Sequence, residues 1–247
     1  MTKIVMVHGA FNELWGPNEL KSRWLPALRD GLWHHGVEVD DADVTVCFYG
    51  DLFRSDPETA ESPALTQAKA DISESLGDMG DDLLATIHLA ANNAVFERTV
   101  DMVATMVAEP DLTERIRARF EAVVTDETRV VVAHSLGTVV AYRALANGLD
   151  GNVDTLVTLG SPLGTEMVFN GLKPAPVDGV GAWPGNVRRW VNVAAVGDKA
   201  AENARLSERF GPAVEDRLVD NGHRAHDPEP YLNNPITGLA VAEALRS

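Results

Sequence analysis

Val130-Val131-Val132-Ala133-His134-Ser135-Leu136-Gly137-Thr138 is the stretch on which the fold turns. A β-branched run stops at a serine flanked by small residues, and Val139 to Leu145 continues with helical character. A strand that passes straight into a helix at a serine has the form of a nucleophile elbow, with the hydroxyl raised on the tip of a sharp turn. Such a turn leaves no room for bulk two residues before or after the serine. Gly137 meets that demand, and Ala133 is the smallest departure from glycine at the other position. The same residues also suit a buried strand followed by a serine N-cap, so the rest of the chain has to decide.

Working outward, Ile4 to Val7 is a short apolar run that stops at His8-Gly9, as a strand buried on both faces of a parallel sheet would. Asn18 to His34 reads as a helix, with Leu20, Trp24, Leu25, Leu28 and Leu32 at helical spacing and Pro26 as an expected kink. Further strands are expected at Val44–Tyr49, Arg129–Ala133, Val153–Leu159, Trp190–Ala194 and Ala213–Val219, and a closing helix at Ile236–Leu245. Phe53 to Gly80 reads as loop or short helices, and Asp81 to Glu109 as a long helix ended by Pro110. That helix carries Phe96, Val100, Val103 and Val107 on one stripe, with Met102 and Met106 alongside. Thr113 to Val123 continues as a helix, and the Gly- and Pro-rich stretch Gly171 to Asn186 is loop. Strands alternating with helices predict an α/β fold, a single domain over 1–247 with a mainly parallel sheet and helices on both faces.

Composition narrows the partners. The 37 acidic residues against 21 basic ones give a net charge of −16, which excludes nucleic acid and anionic membrane surfaces, since phosphate contacts need clustered Lys and Arg. Cys47 is the only cysteine, so no internal disulfide forms, and its apolar surroundings point to a structural thiol. The stretch after Met1 lacks a signal-peptide apolar region, and no apolar run reaches the length of a membrane span. The expectation is a cytoplasmic protein with no integral membrane segment. Oligomeric state is left open.

A serine is a weak nucleophile until a base takes its proton, and the base needs a third group to hold its tautomer. In a strand–elbow–helix architecture the partners follow in the order Ser, Asp or Glu, His. Asp198 breaks the run after Trp190–Ala195, which places an acid at the carboxyl end of a strand, where such sheets keep their sites. It also suits the start of a helix at Asp198-Lys199-Ala200-Ala201, and the two roles are compatible. Two histidines compete as base in Asp220-Asn221-Gly222-His223-Arg224-Ala225-His226-Asp227. His226 is preferred, being deeper in the loop and followed by Pro228 and Pro230, while His223 suits a surface position. Read as a metal pair, the two histidines lack the third and fourth ligands that zinc wants. An oxyanion hole needs two backbone N–H groups. Leu136, directly after the serine, supplies one, and Ala10 in His8-Gly9-Ala10-Phe11 the other, with Phe11 as second choice. His8 is expected to be a structural hydrogen-bonding group and His134 to pack beneath the elbow.

Taken together, the His8-Gly9 turn, the Ala133-His134-Ser135-Leu136-Gly137 elbow and the loop Gly160-Ser161-Pro162-Leu163-Gly164 resemble the α/β-hydrolase superfamily of the lipase and esterase kind. The last of these, with the end His226…Tyr231-Leu232, is similar to the branch that includes inositol-deacylase-like proteins. The likeness runs from Ile4 to Leu245. It implies a Ser-His-Asp hydrolase with Ser135 as nucleophile, Asp198 as acid and His226 as base, requiring no cofactor and no metal. It implies also a helical cap between core strands, for which the segment of about 53–121 is long enough. Ala133 departs from the family's usual glycine. The expected reaction is cleavage of a small-molecule carboxylic ester through an acyl-enzyme. The apolar stripe around Met102 is either core packing or the wall of an acyl pocket. A thioesterase or acyltransferase would use the same triad, and a non-catalytic protein can share the scaffold.

Overall fold

Short runs rich in β-branched and aliphatic residues make the sheet, apolar on both faces in its middle and more polar at the edge run Val214–Val219, and each satisfies its backbone by pairing sideways. In the computed structural model, which describes residues 2–54, 58, 62–71, 102, 110–149, 151–201 and 204–247, these runs become β1 (Ile4–Val7), β2 (Val44–Cys47), β3 (Val130–His134), β4 (Thr155–Leu159), β5 (Arg189–Ala195) and β6 (Val214–Val219). They form one sheet in the order β2-β1-β3-β4-β5-β6, and every pairing is parallel. β1 stands at the centre of the register: Ile4 is opposite Val44 on one side and Val130 on the other.

Helices cover both faces. Ile4 and Met6 point into one core layer, with Leu20, Trp24, Leu28 and Leu32 of α1 (Pro17–Trp33). Val5 and Val7 point into the other, with Leu112, Ile116 and Phe120 of α2 (Pro110–Glu121) and Val139, Val140 and Tyr142 of α3 (Leu136–Ala146). α4 (Glu166–Asn170) and α5 (Ser207–Phe210) lie on this second side, where Phe169, Trp190 and Phe210 meet ring against ring. α6 (Pro228–Leu232) and α7 (Pro235–Arg246) complete the first side with Tyr231, Leu232 and Val241. Because β2 and β3 flank β1 on opposite sides, the chain reverses its winding between β1 and β3, and the carboxyl ends of these strands are where such a sheet places its site.

Some sequence expectations shift. α1 runs through Pro26, which lies on the exposed side, so the carbonyl left without its helical partner faces water. β2 stops at Cys47 rather than Tyr49, and the helix expected from Thr113 already includes Pro110. A helical stretch occupies residues 63–71. The long helix expected over 81–109, and with it most of the segment of about 53–121 expected as a cap, lies outside the described residues. Of its apolar stripe only Met102 is described, helical and buried. Cys47 is buried, and burial pushes its thiol up to about 12, in keeping with a structural role.

Candidate active site

The turn after β3 is strained where the chemistry would need it. Ser135 has φ 54° and ψ −130°, a left-handed conformation that non-glycine residues avoid. Its N–H bonds the carbonyl of Leu159 on the neighbouring strand at 2.9 Å, and its carbonyl accepts from the Thr138 N–H at 2.9 Å and the Thr138 hydroxyl at 2.7 Å. The serine occupies the N-cap position of α3, but its side chain makes no capping bond. The hydroxyl is turned to His226 instead, with Oγ 2.9 Å from Nε2. Gly137 allows this tight start of α3. A Cβ there would lie 2.4 Å from the His8 carbonyl oxygen and 2.5 Å from that of Val7.

Three side chains that are far apart in sequence form one hydrogen-bonded line. His226 Nδ1 is 2.9 and 3.0 Å from the two carboxylate oxygens of Asp198. A carboxylate only accepts, so Nδ1 carries the proton, Nε2 presents its lone pair, and the Ser135 hydroxyl donates to it. Asp198 is buried. Burial by itself would raise its carboxyl, but the His226 ring and the Tyr231 hydroxyl outweigh that and hold it below the usual carboxylate range. Its Oδ1 also accepts from the Ala200 N–H at 3.0 Å, so the helix-start role and the contact with His226 coexist. His223 lies exposed in the turn Gly222–Arg224, away from this line.

Two buried histidines, His134 and His8, are neutral supports. His134, at the end of β3, donates from Nε2 to the His226 carbonyl at 2.8 Å. Burial first, and then the neighbouring His226, lowers it to about 3. Its ring is 4.8 Å from that of His226. His8 bonds the Gly9 carbonyl through Nδ1 at 2.7 Å and accepts the Tyr49 N–H on Nε2 at 3.1 Å, which fixes its tautomer. Burial lowers it to about 4.

The loop after β1 abuts the serine: a Cβ on Gly9 would lie 2.7 Å from the Ser135 Cβ. The Asn12 side-chain amide donates to the carbonyls of Gly9 (3.1 Å) and Ala10 (2.8 Å). In a trans peptide the N–H points opposite to the carbonyl, so these bonds turn the Ala10 and Phe11 N–H groups away from Asn12. Phe11 has φ 65°. Leu136 opens α3, whose first-turn N–H groups have no carbonyl within the helix to bond.

Sequence reasoning missed four contributors. The first is the Tyr231 hydroxyl on Asp198. The second is Gly160, with φ 54°, where a Cβ would lie 2.7 Å from Asp198 Oδ2 and 3.2 Å from His226 Nδ1. Asn12 is the third. The fourth is a buried chain in which the Leu163 N–H donates to Ser161 Oγ at 3.2 Å, Ser161 to Thr138 Oγ1 at 2.8 Å, and Thr138 to the Ser135 carbonyl. Thr138 spends its single hydroxyl hydrogen on the Ser135 carbonyl, so Ser161 is the donor between the two hydroxyls. The motif Gly160-Ser161-Pro162-Leu163-Gly164 carried the signal for two of the four.

Among the described residues no group of three or more His, Cys, Asp or Glu side chains is arranged to hold a metal ion, and no helix is long and apolar enough to cross a membrane. No protein-family model and no curated protein matches the chain. Among solved structures, a Xanthomonas campestris pv. campestris protein described only as a candidate hydrolase of the alpha/beta superfamily is 17% identical, with a TM-score of 0.39, over 100% of this chain and 99% of that one. The strand order, the strained serine between β3 and α3, and the sequence order Ser135, Asp198, His226 after β3, β5 and β6 are together those of the α/β-hydrolase fold.

Proposed function

We propose that this chain is a serine hydrolase that cleaves a carboxylic ester through an acyl-enzyme. One observation carries the reading: the unbroken line from Ser135 Oγ through His226 to a buried Asp198, built on a serine in a left-handed backbone conformation. In the proposed reaction the Ser135 oxygen attacks the ester carbonyl carbon while His226 Nε2 takes the hydroxyl proton. Asp198 keeps Nδ1 protonated and stabilises the imidazolium that forms. The N–H groups of Leu136 and Ala10 receive the negative charge on the carbonyl oxygen, and losing one such donor costs about 3 kcal/mol in the barrier. When the tetrahedral intermediate collapses, His226 returns its proton to the departing alkoxide. Water, activated by the same imidazole, then attacks the acyl-Ser135 ester and regenerates the serine.

Hydrolysis of p-nitrophenyl esters tests the proposal. Ser135→Ala is expected to lower kcat by at least about 10³-fold with an unchanged circular dichroism spectrum. Turnover equal to the parent protein would defeat the assignment. Ester, thioester and amide analogues of one acyl group, compared side by side, identify the acyl donor.

A further inference from the structure

Tyr231 lies on α6, five residues beyond His226 and buried in the core layer that α1 and α7 share. Its phenol oxygen accepts the Ala195 N–H at 2.8 Å. A backbone N–H can only donate, so the single hydroxyl hydrogen is free for another partner. That partner is Asp198 Oδ2, at 2.5 Å, a short charge-assisted bond. Ala195 is the last residue of β5 and Asp198 stands three residues on, so one phenol ties both ends of the turn that carries the acid. The carboxylate is thereby divided: Oδ1 takes the Ala200 N–H, Oδ2 takes Tyr231, and both share His226 Nδ1–H. Gly160 lies under this cluster with no side chain, and a Cβ there would also come within 3.2 Å of the Tyr231 ring.

Resting on the Ser-His-Asp reading, we infer that Tyr231 is a positioning residue that sets the orientation and the basicity of the Asp198 carboxylate, and through it the proton affinity of His226. A core aromatic needs no hydroxyl for packing. This hydroxyl is spent on the one carboxylate that faces the base. By donating to Asp198 it draws negative charge away from the imidazole, so the imidazolium is held less tightly and the base stays unprotonated to lower pH. The phenol remains a donor throughout, since burial first and the Asp198 charge next raise its pKa far above the ordinary tyrosine value.

The groups facing the pair from other elements are few. His134 from β3 is 4.8 Å from His226 and is lowered to about 3, and His8 behind it is lowered to about 4, so both stay neutral across the range in question. On the base's own loop, Arg224 and Asp227 bond one another.

The experiment is the pH profile of kcat/KM for p-nitrophenyl ester hydrolysis by Tyr231→Phe and by the full-length protein carrying 3,5-difluorotyrosine at position 231, with Ser135→Ala as control. Phenylalanine keeps the packing and removes the donor, whereas the fluorinated phenol keeps the shape and donates more strongly. Expected are a fall in kcat/KM of about tenfold for Tyr231→Phe and an acid limb displaced upward by about half a pH unit, against a downward displacement for the fluorinated protein. Acid limbs that coincide in the parent, Tyr231→Phe and fluorinated proteins overturn the inference even where the rate falls, because a purely structural tyrosine would change stability and rate without moving the limb. Should Tyr231→Phe fail to fold, the fluorinated protein decides alone. Full turnover by Ser135→Ala would overturn the reading underneath, and this one with it. A silent control with unmoved limbs overturns only the role of Tyr231.

Discussion

At the scale of single residues, the site depends on positions where most side chains would not fit. Ser135 accepts a left-handed backbone, and its neighbours compensate: the Thr138 hydroxyl and N–H hold its carbonyl while the Leu159 carbonyl holds its N–H. Gly160 is the clearest test. It combines φ 54° with a seat beneath Asp198 and His226. Gly160→Ala is expected to lower kcat/KM by about 100-fold while lowering Tm by less than about 8 °C, as a strain of about 2 kcal/mol implies in a chain of this size. Parent-like activity would show that the carboxylate tolerates displacement. Ser135 and its partners were legible because each follows a predicted strand in the expected order. Tyr231 and Asn12 were not, since a tyrosine in an apolar helix and an asparagine in a turn have ordinary uses, and only proximity in space reveals the acceptor of each.

The strands and the four longer helices were read largely from apolar runs, with errors at their ends, whereas the short helices α4, α5 and α6 were missed because four or five residues are too few to show a helical period. Five of the six strands are buried apolar runs, and the edge strand β6 is buried only at Val214 and Val219, with Glu215, Asp216 and Arg217 between them. β2 stops two residues sooner than expected because the Tyr49 N–H leaves the ladder for His8 Nε2, and its hydroxyl bonds the His8 carbonyl at 2.5 Å. That exchange braces the loop beside the serine, so the boundary is set by the site and not by propensity. α1 survives Pro26 because the missing bond falls on its solvent side. The preference for His226 over His223 rested on loop depth. In the structure His226 is anchored by the His134 bond to its carbonyl, a contact between residues 92 apart that no local pattern encodes.

For the whole molecule, two buried neutral histidines make stability depend on pH before the carboxylates titrate. His8 and His134 are lowered from 6.5 to about 4 and about 3. The unfolded chain therefore binds more protons between pH 6.5 and 4, and stability is full above that window and is lost as pH falls through it. At pH 5 each histidine costs about 2 kcal/mol. Asp43, Asp154 and Glu215 are held below their usual range by partners that include Lys3, Arg188 and Arg189, so their contributions persist until more acid conditions. Thermal melts are expected to show Tm falling by about 10 °C from pH 7 to pH 5. A flat Tm over that interval would mean that both histidines accept a proton without disturbing the fold.

The sharpest test of the site is covalent. Treatment of the native protein with a fluorophosphonate, followed by peptide mass spectrometry, is predicted to place a single adduct on Ser135 and to lose it when His226 is replaced by alanine. An unmodified Ser135, or labelling that proceeds equally fast without the His226 imidazole, would contradict the account.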